Sequence, residues 1–245
     1  MQVAIVTDIH ANLQAWLAVM ADCALRHVEQ IISLGDIVGY GPNPAEVCML
    51  ARSRAQVHLL GNHEAAMCGR TTLDQWNSRA RLSVEWSRKQ LSQDTMDWFA
   101  ELPYTLALDD CRFGHSEFSC PERFYYIREA RHALLSWNAT REPLLFVGHT
   151  HIPALYVLGA SGTPHRLDPQ PFIREPGKRY LVNVGSVGFP REQIDMASYC
   201  ILNLEECSVR WQSVRYDVES YRLALHAQGF SDPRMRPTAR DGALS

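Results

Sequence analysis

Short apolar runs alternate with stretches of helical periodicity through the first half of the chain. "VAIVT" (3–7), "QIISLG" (30–35) and "VHLLG" (57–61) read as strands. After the first of them Leu13, Trp16, Leu17, Met20, Ala24 and Val28 recur at helical spacing, which predicts an amphipathic helix lying on a sheet. "NPAE" (43–46) predicts another helix start, with Asn43 as N-cap, Pro44 at the first helical position and Glu46 close behind. This strand-helix rhythm is that of a largely parallel sheet. From 71 to 102 the chain is polar and helix-friendly, with Leu73, Trp76, Ala80, Val84 and Leu91 on one face and Pro103 as the stop, so a small helical cap is expected there. The second half changes character. "YTLAL", "CRFG", "LLFVG", "ALYVLG", "RYLVNVG", "ASYCILNL" and "SVRWQSVRY" follow one another across short turn-like segments, which predicts a strand-rich half. No linker separates the halves, so residues 1–230 are expected to form one domain with two sheets face to face. The Pro-, Arg- and Gly-containing stretch 231–245 is expected to be a flexible tail.

Composition narrows the class. With 245 residues, 46% of them hydrophobic, the chain can bury a sizeable core. A net charge of −3 offers no basic field for a polyanion, so strong nucleic-acid binding is not expected. Seven cysteines form an odd set with no Cys-x-x-Cys pair, which argues against a disulfide framework and against a thiolate zinc site. No apolar stretch reaches the roughly 18 residues a membrane helix needs, and the N-terminus turns acidic too soon for a signal peptide. A cytoplasmic protein with no membrane partner is the expectation.

Five apolar runs end alike, in a strand, often a glycine, and then residues that ligate metals. They are "VAIVTDIH" with Asp8 and His10, "IISLGD" with Asp36, "VHLLGNHE" with Asn62, His63 and Glu64, "CRFGH" with His115, and "LLFVGHTH" with His149 and His151. Side chains exported from several strand ends can converge in the crevice beyond the sheet. Residues two apart on an extended segment point the same way, so Asp8-x-His10 and His149-x-His151 are each expected to offer two ligands to one side. Asp8, His10, Asp36, Asn62, His115, His149 and His151 are too many ligands for one tetrahedral ion. Two divalent transition-metal ions are the economical reading, with Asp36 shared between them. Imidazole, carboxylate and amide donors without thiolate suit Mn, Fe or Zn better than Ca or Mg.

Taken in order, "DIH", "GDIVGYGPNP", "GNHE", the histidine of "FGHS" and "GHTH" resemble the calcineurin-like metallophosphoesterases, and "NVGSVGFPRE" (183–192) resembles a stretch of a small bacterial phosphodiesterase-like subgroup. Ala11 stands where the family usually has Gly. The resemblance implies a four-layer α/β/β/α sandwich, with two facing mixed sheets flanked by helices. It implies one ion on Asp8, His10, Asp36 and His151 and a second on Asp36, Asn62, His115 and His149. His63 would face the phosphate, as an imidazolium oriented by Glu64. The implied reaction is hydrolysis of a phosphate ester by in-line attack of hydroxide made available by the ions.

A small phosphorylated substrate, a phosphodiester or a nucleotide, fits a capped cleft better than a phosphoprotein does. Tyr40 and Arg191 are candidate substrate contacts, and Trp76, Asn77 and Phe124 are candidate lining residues. The alternatives are a phosphomonoesterase or protein phosphatase, and a non-catalytic scaffold of the same fold, which would be expected to have lost ligands.

Overall fold

The computed structural model describes residues 1–74 and 76–230, so the stretch 231–245 expected as a tail lies outside the described residues. In chain order the elements are β1 (Gln2–Val6), α1 (Leu13–Leu25), β2 (Gln30–Ser33), α2 (Pro44–Arg54), β3 (Val57–His58), α3 (Asn62–Met67), α4 (Ser78–Gln90) and α5 (Gln93–Glu101). There follow β4 (Thr105–Leu108), β5 (Cys111–Gly114), α6 (Ala130–Ala139), β6 (Leu144–Val147), β7 (Ala154–Leu158), β8 (Pro164–Leu167) and β9 (Phe172–Ile173). The chain closes with β10 (Arg179–Asn183), β11 (Met196–Asn203), β12 (Ser208–Arg215) and α7 (Val218–Ala227).

The strands form two mixed six-stranded sheets, ordered β3-β2-β1-β11-β12-β9 and β4-β5-β6-β10-β7-β8. In the first, β1, β2 and β3 are parallel and β11 runs against β1. In the second, β5, β6 and β10 are parallel. Six parallel strands therefore send their carboxyl ends toward loops that can meet.

Alternation along each strand builds the layers. Val3 and Ile5 of β1, Ile32 of β2, Phe113 of β5, Leu144 and Phe146 of β6 and Val182 of β10 face the space between the sheets. Ala4 and Val6, one residue out of step, face α1 and α2 through Trp16, Val19 and Val47. Leu145 and Val147 face the other way, onto Ala133 and Trp137 of α6. Three apolar clusters thus separate four layers, the α/β/β/α order expected.

The second half is not purely stranded. Ala133 and Trp137 at i,i+4 drive α6 onto the outer face of its sheet, and Tyr221 and Leu225 do the same for α7, which Asp217 caps by accepting the Ser220 N–H. The segment expected as a cap forms α4 and α5, but Val84 and Phe99 are buried in the main helical layer. The stretch before α4 and Ala80 in the first turn of α4 reach the cleft. Asn43 caps α2 by position alone, with its side-chain oxygen unpaired. All seven cysteines are unpaired, and no helix among the described residues is long and apolar enough to cross a membrane.

Candidate metal centre

Every sequence-predicted ligand lies beyond the carboxyl end of a parallel strand. Asp8 and His10 follow β1, Asp36 follows β2, Asn62 opens α3 after β3, His115 follows β5, and His149 and His151 follow β6. The loops carrying them are not extended. Asp8, His10, Asp36, His149 and His151 have φ between +49° and +66°, in the left-handed region. The expectation that each x-separated pair would lie on an extended segment is therefore corrected, although Asp8 and His10 still reach one donor group. His149 and His151 go to different donor groups, one with Asp36 and His115, the other with Asp8 and His10. Left-handed backbone costs an L-residue about 1–2 kcal/mol, and it persists where the surroundings over-determine it.

The surroundings do so here. At the end of β10, Asn183 donates to the Gly148 carbonyl at 2.8 Å and to the Thr150 hydroxyl at 3.0 Å, and just beyond it the Ser186 hydroxyl donates to the Asp8 carbonyl at 2.9 Å. One loop thereby ties the β1 and β6 loops together. Gly148 lets them meet, because a Cβ there would lie 2.2 Å from the Thr7 hydroxyl.

Three of the imidazoles are anchored by the main chain. His10 donates its Nδ1–H to the Val38 carbonyl at 3.0 Å, His115 to that of Leu34 at 3.2 Å and His151 to that of Phe189 at 2.8 Å. Each therefore turns its Nε2 inward. The Nε2 atoms of His10 and His151 lie 3.2 Å apart, and that of His151 is 3.2 Å from Asp8 Oδ1. His115 Nε2 lies 3.2 Å from Asn62 Oδ1, 3.2 Å from His149 Nδ1 and 3.4 Å from Asp36 Oδ2. Lone pairs and carboxylate oxygens brought this close repel one another unless a proton or a metal cation sits among them.

The carboxylates tell the same story. Asp8 Oδ2 accepts from the Thr7 hydroxyl at 2.8 Å and from the His149 N–H at 2.9 Å, while Oδ1 is fully buried with no hydrogen-bond partner. Asp36 Oδ1 accepts the His63 N–H at 3.0 Å and Oδ2 faces the Nε2 atoms of His115, His10 and His63 at 3.4, 3.7 and 3.9 Å. Three donor groups result: Asp8, His10 and His151; His10, Asp36 and His63; Asp36, His115 and His149. An orphaned buried carboxylate oxygen beside converging imidazole lone pairs fits a metal cation.

Burial opposes charge on His115, yet the Asp36 carboxylate outweighs it and holds the imidazole up at about 9. Burial, reinforced by the neighbouring His115, pushes His149 down to about 3. Burial likewise pushes His63 down to about 3, so that ring is neutral, not the imidazolium expected.

Glu64 also differs from expectation. Its carboxylate does not touch the His63 ring and instead accepts the Asp36, Gly61 and Val38 N–H groups at 2.8, 3.1 and 3.0 Å. His63 is oriented by packing, between His10, Tyr40 and Trp76 with ring centroids 4.8 to 4.9 Å away.

The centre opens into a cleft of about 770 Å³. Tyr40, Trp76, Asn77, Phe124 and Arg191, all singled out in the sequence, line it. Tyr126 was not singled out, although it lies flat on His149 with ring centroids 4.0 Å apart. Asn183 and Ser186 were quoted in a motif, but nothing in the sequence marks them as loop ties.

Residues 1–207 match the family described as the calcineurin-like phosphoesterase superfamily domain. Over 222 residues the chain is 32% identical to an uncharacterized protein of Methanocaldococcus jannaschii, a match covering 89% of this chain and 88% of that one. Among solved structures, a metallophosphoesterase from Sphaerobacter thermophilus is 34% identical and covers 96% of both chains at a TM-score of 0.81. A hypothetical protein from Pyrococcus horikoshii OT3 shares the fold at a TM-score of 0.75, with 16% identity over 95% of each chain.

Proposed function

The chain belongs to the calcineurin-like phosphoesterase superfamily and is a metal-dependent phosphoesterase, and on that premise we propose that it holds two divalent metal ions and hydrolyses a phosphodiester or small nucleotide. What carries the reading is the pair of donor groups that Asp36 joins: Asp8 Oδ1 lies buried and unpartnered beside His10 and His151, and Asp36 Oδ2, His115 and His149 converge in the other. Asp8, His10, Asp36 and His151 would hold one ion, and Asp36, Asn62, His115 and His149 the other. Such ions, Mn, Fe or Zn by the donor chemistry, supply Lewis-acid charge to phosphate oxygens and bring the pKa of a water toward about 7.

The chain's own groups then divide the work. Asp36 would face both ions, its position fixed by the His63 N–H on one oxygen and by Glu64 through its own N–H. His63, buried and neutral, would offer a hydrogen bond to the leaving oxygen. Tyr40 and Arg191 would contact the substrate from the cleft wall. A cleft of about 770 Å³ has room for more than a phosphoryl group, which favours a nucleotide-sized diester. The unpaired cysteines are in keeping with the reducing cytoplasm.

The test of substrate class is the rate of the Mn-loaded protein on bis-p-nitrophenyl phosphate set against p-nitrophenyl phosphate. The diester should turn over faster, and a clear monoester preference would overturn the diester reading.

A further inference from the structure

His149 is held differently from the other imidazoles of the centre. His10, His115 and His151 each donate Nδ1–H to a backbone carbonyl and turn Nε2 inward. His149 turns Nδ1 inward, toward His115 Nε2 at 3.2 Å, and among the described residues no carbonyl accepts from its other nitrogen. A ligating imidazole needs its ring plane fixed, and an outer partner on the second nitrogen ordinarily does this.

Tyr126 lies flat against His149, with ring centroids 4.0 Å apart and planes 9° from parallel. The guanidinium of Arg128 sits 4.5 Å from the centroid of that tyrosine ring. Tyr126 is itself placed by its neighbours, because Ile127 next to it and Phe124 two residues before it are buried. The Ile127 carbonyl also accepts from the Tyr156 hydroxyl at 3.2 Å. Yet Tyr126 is 43% exposed in the cleft, whereas His149 is buried.

We propose that Tyr126 is the positioning residue for His149, its flat face replacing the missing carbonyl bond, so that it sets how tightly the ion on the His115–His149 side is held. The inference rests on the two-ion reading above. An exposed stacking contact restrains a ring less than an in-plane hydrogen bond from a buried loop does. The ion on this side is therefore the weaker of the two and loads last.

Titration of the metal-stripped full chain with Mn(II), followed by equilibrium dialysis and by the EPR change from isolated to exchange-coupled ions, tests this. Wild type should take up two ions in separable steps. Tyr126→Ala and Tyr126→Leu should keep the first step and weaken the second by roughly 10–100-fold. The Leu variant keeps apolar bulk should the Ala variant fold poorly. Tyr126→Phe, which keeps the flat face, should restore the second step, and Tyr125→Ala should leave both unchanged. A wild type that binds a single ion removes the two-ion reading and this inference with it. A wild type that binds two, with a second step unmoved in Tyr126→Leu, overturns the role of Tyr126 alone.

Discussion

Glu64 grips Asp36 by the main chain: its Oε2 accepts the Asp36 N–H at 2.8 Å while its Oε1 accepts the Val38 N–H at 3.0 Å. The carboxylate proposed to serve both ions is thus aimed from 28 residues away in sequence, by a side chain that touches no donor group itself. Burial and the Asp36 charge push Glu64 up to about 7, against N–H donors that favour its ionised form.

Replacing Glu64 with Gln puts an amide nitrogen where an N–H group needs an acceptor. The variant should lose about 1–3 kcal/mol of stability, the cost of an unmet buried hydrogen bond, and should bind Mn less tightly. Thermal unfolding with and without metal checks this. A variant of unchanged stability that had lost only rate would instead assign Glu64 to His63.

Gly39 should be intolerant of a side chain for a reason specific to His63. Its φ is +87°, and a Cβ there would lie 2.0 Å from His63 Nδ1. Gly39→Ala should displace that ring, lowering kcat by about tenfold or more, while two ions stay bound. Steady-state rates beside metal analysis separate the effects; loss of metal in proportion to rate would place the damage in the metal centre instead.

The metal-free protein should be most stable near neutral pH. His115, held up at about 9, contributes stability that is full below its unfolded value of about 6.5 and is lost as pH rises through 9. His149, pushed down to about 3, contributes stability that is full above about 6.5 and is lost as pH falls through 3. Melting of chelated protein from pH 4 to 10 should trace this dome. Because a ligating His115 must be neutral, Mn binding at pH 7.5 should release about one proton per molecule, readable by calorimetry in buffers of different ionisation enthalpy. A flat stability profile from pH 6.5 to 9 with no proton release would contradict the His115–Asp36 coupling.

The seven proposed ligands were legible because each is a short chemical signal at the end of an apolar run, and parallel strands export such ends to one edge. The four layers were legible from alternation in strands such as β6, where Leu144 and Phe146 face one way and Leu145 and Val147 the other. What escaped depends on loop geometry and on contacts across the chain. Nothing in "HTH" says that both histidines have left-handed backbone. Nothing in "GNHE" says that Glu64 bonds to the 36–38 loop and not to its neighbour. Tyr126 sits in "RFYYIR", 23 residues before the ring it covers. The helix α6 escaped for a different reason: its i,i+4 pair of Ala133 and Trp137 is a weak amphipathic signal among strong strand signals.

The most direct measurement is made on Asp36→Asn beside wild type: metal content after chelation and reloading with Mn, and turnover of bis-p-nitrophenyl phosphate by the same samples. Wild type should hold two ions and turn over only when loaded, and the variant should hold fewer and lose most of its activity. Wild-type rates in an Asp36→Asn protein of normal metal content would contradict a shared carboxylate at the centre of the reaction.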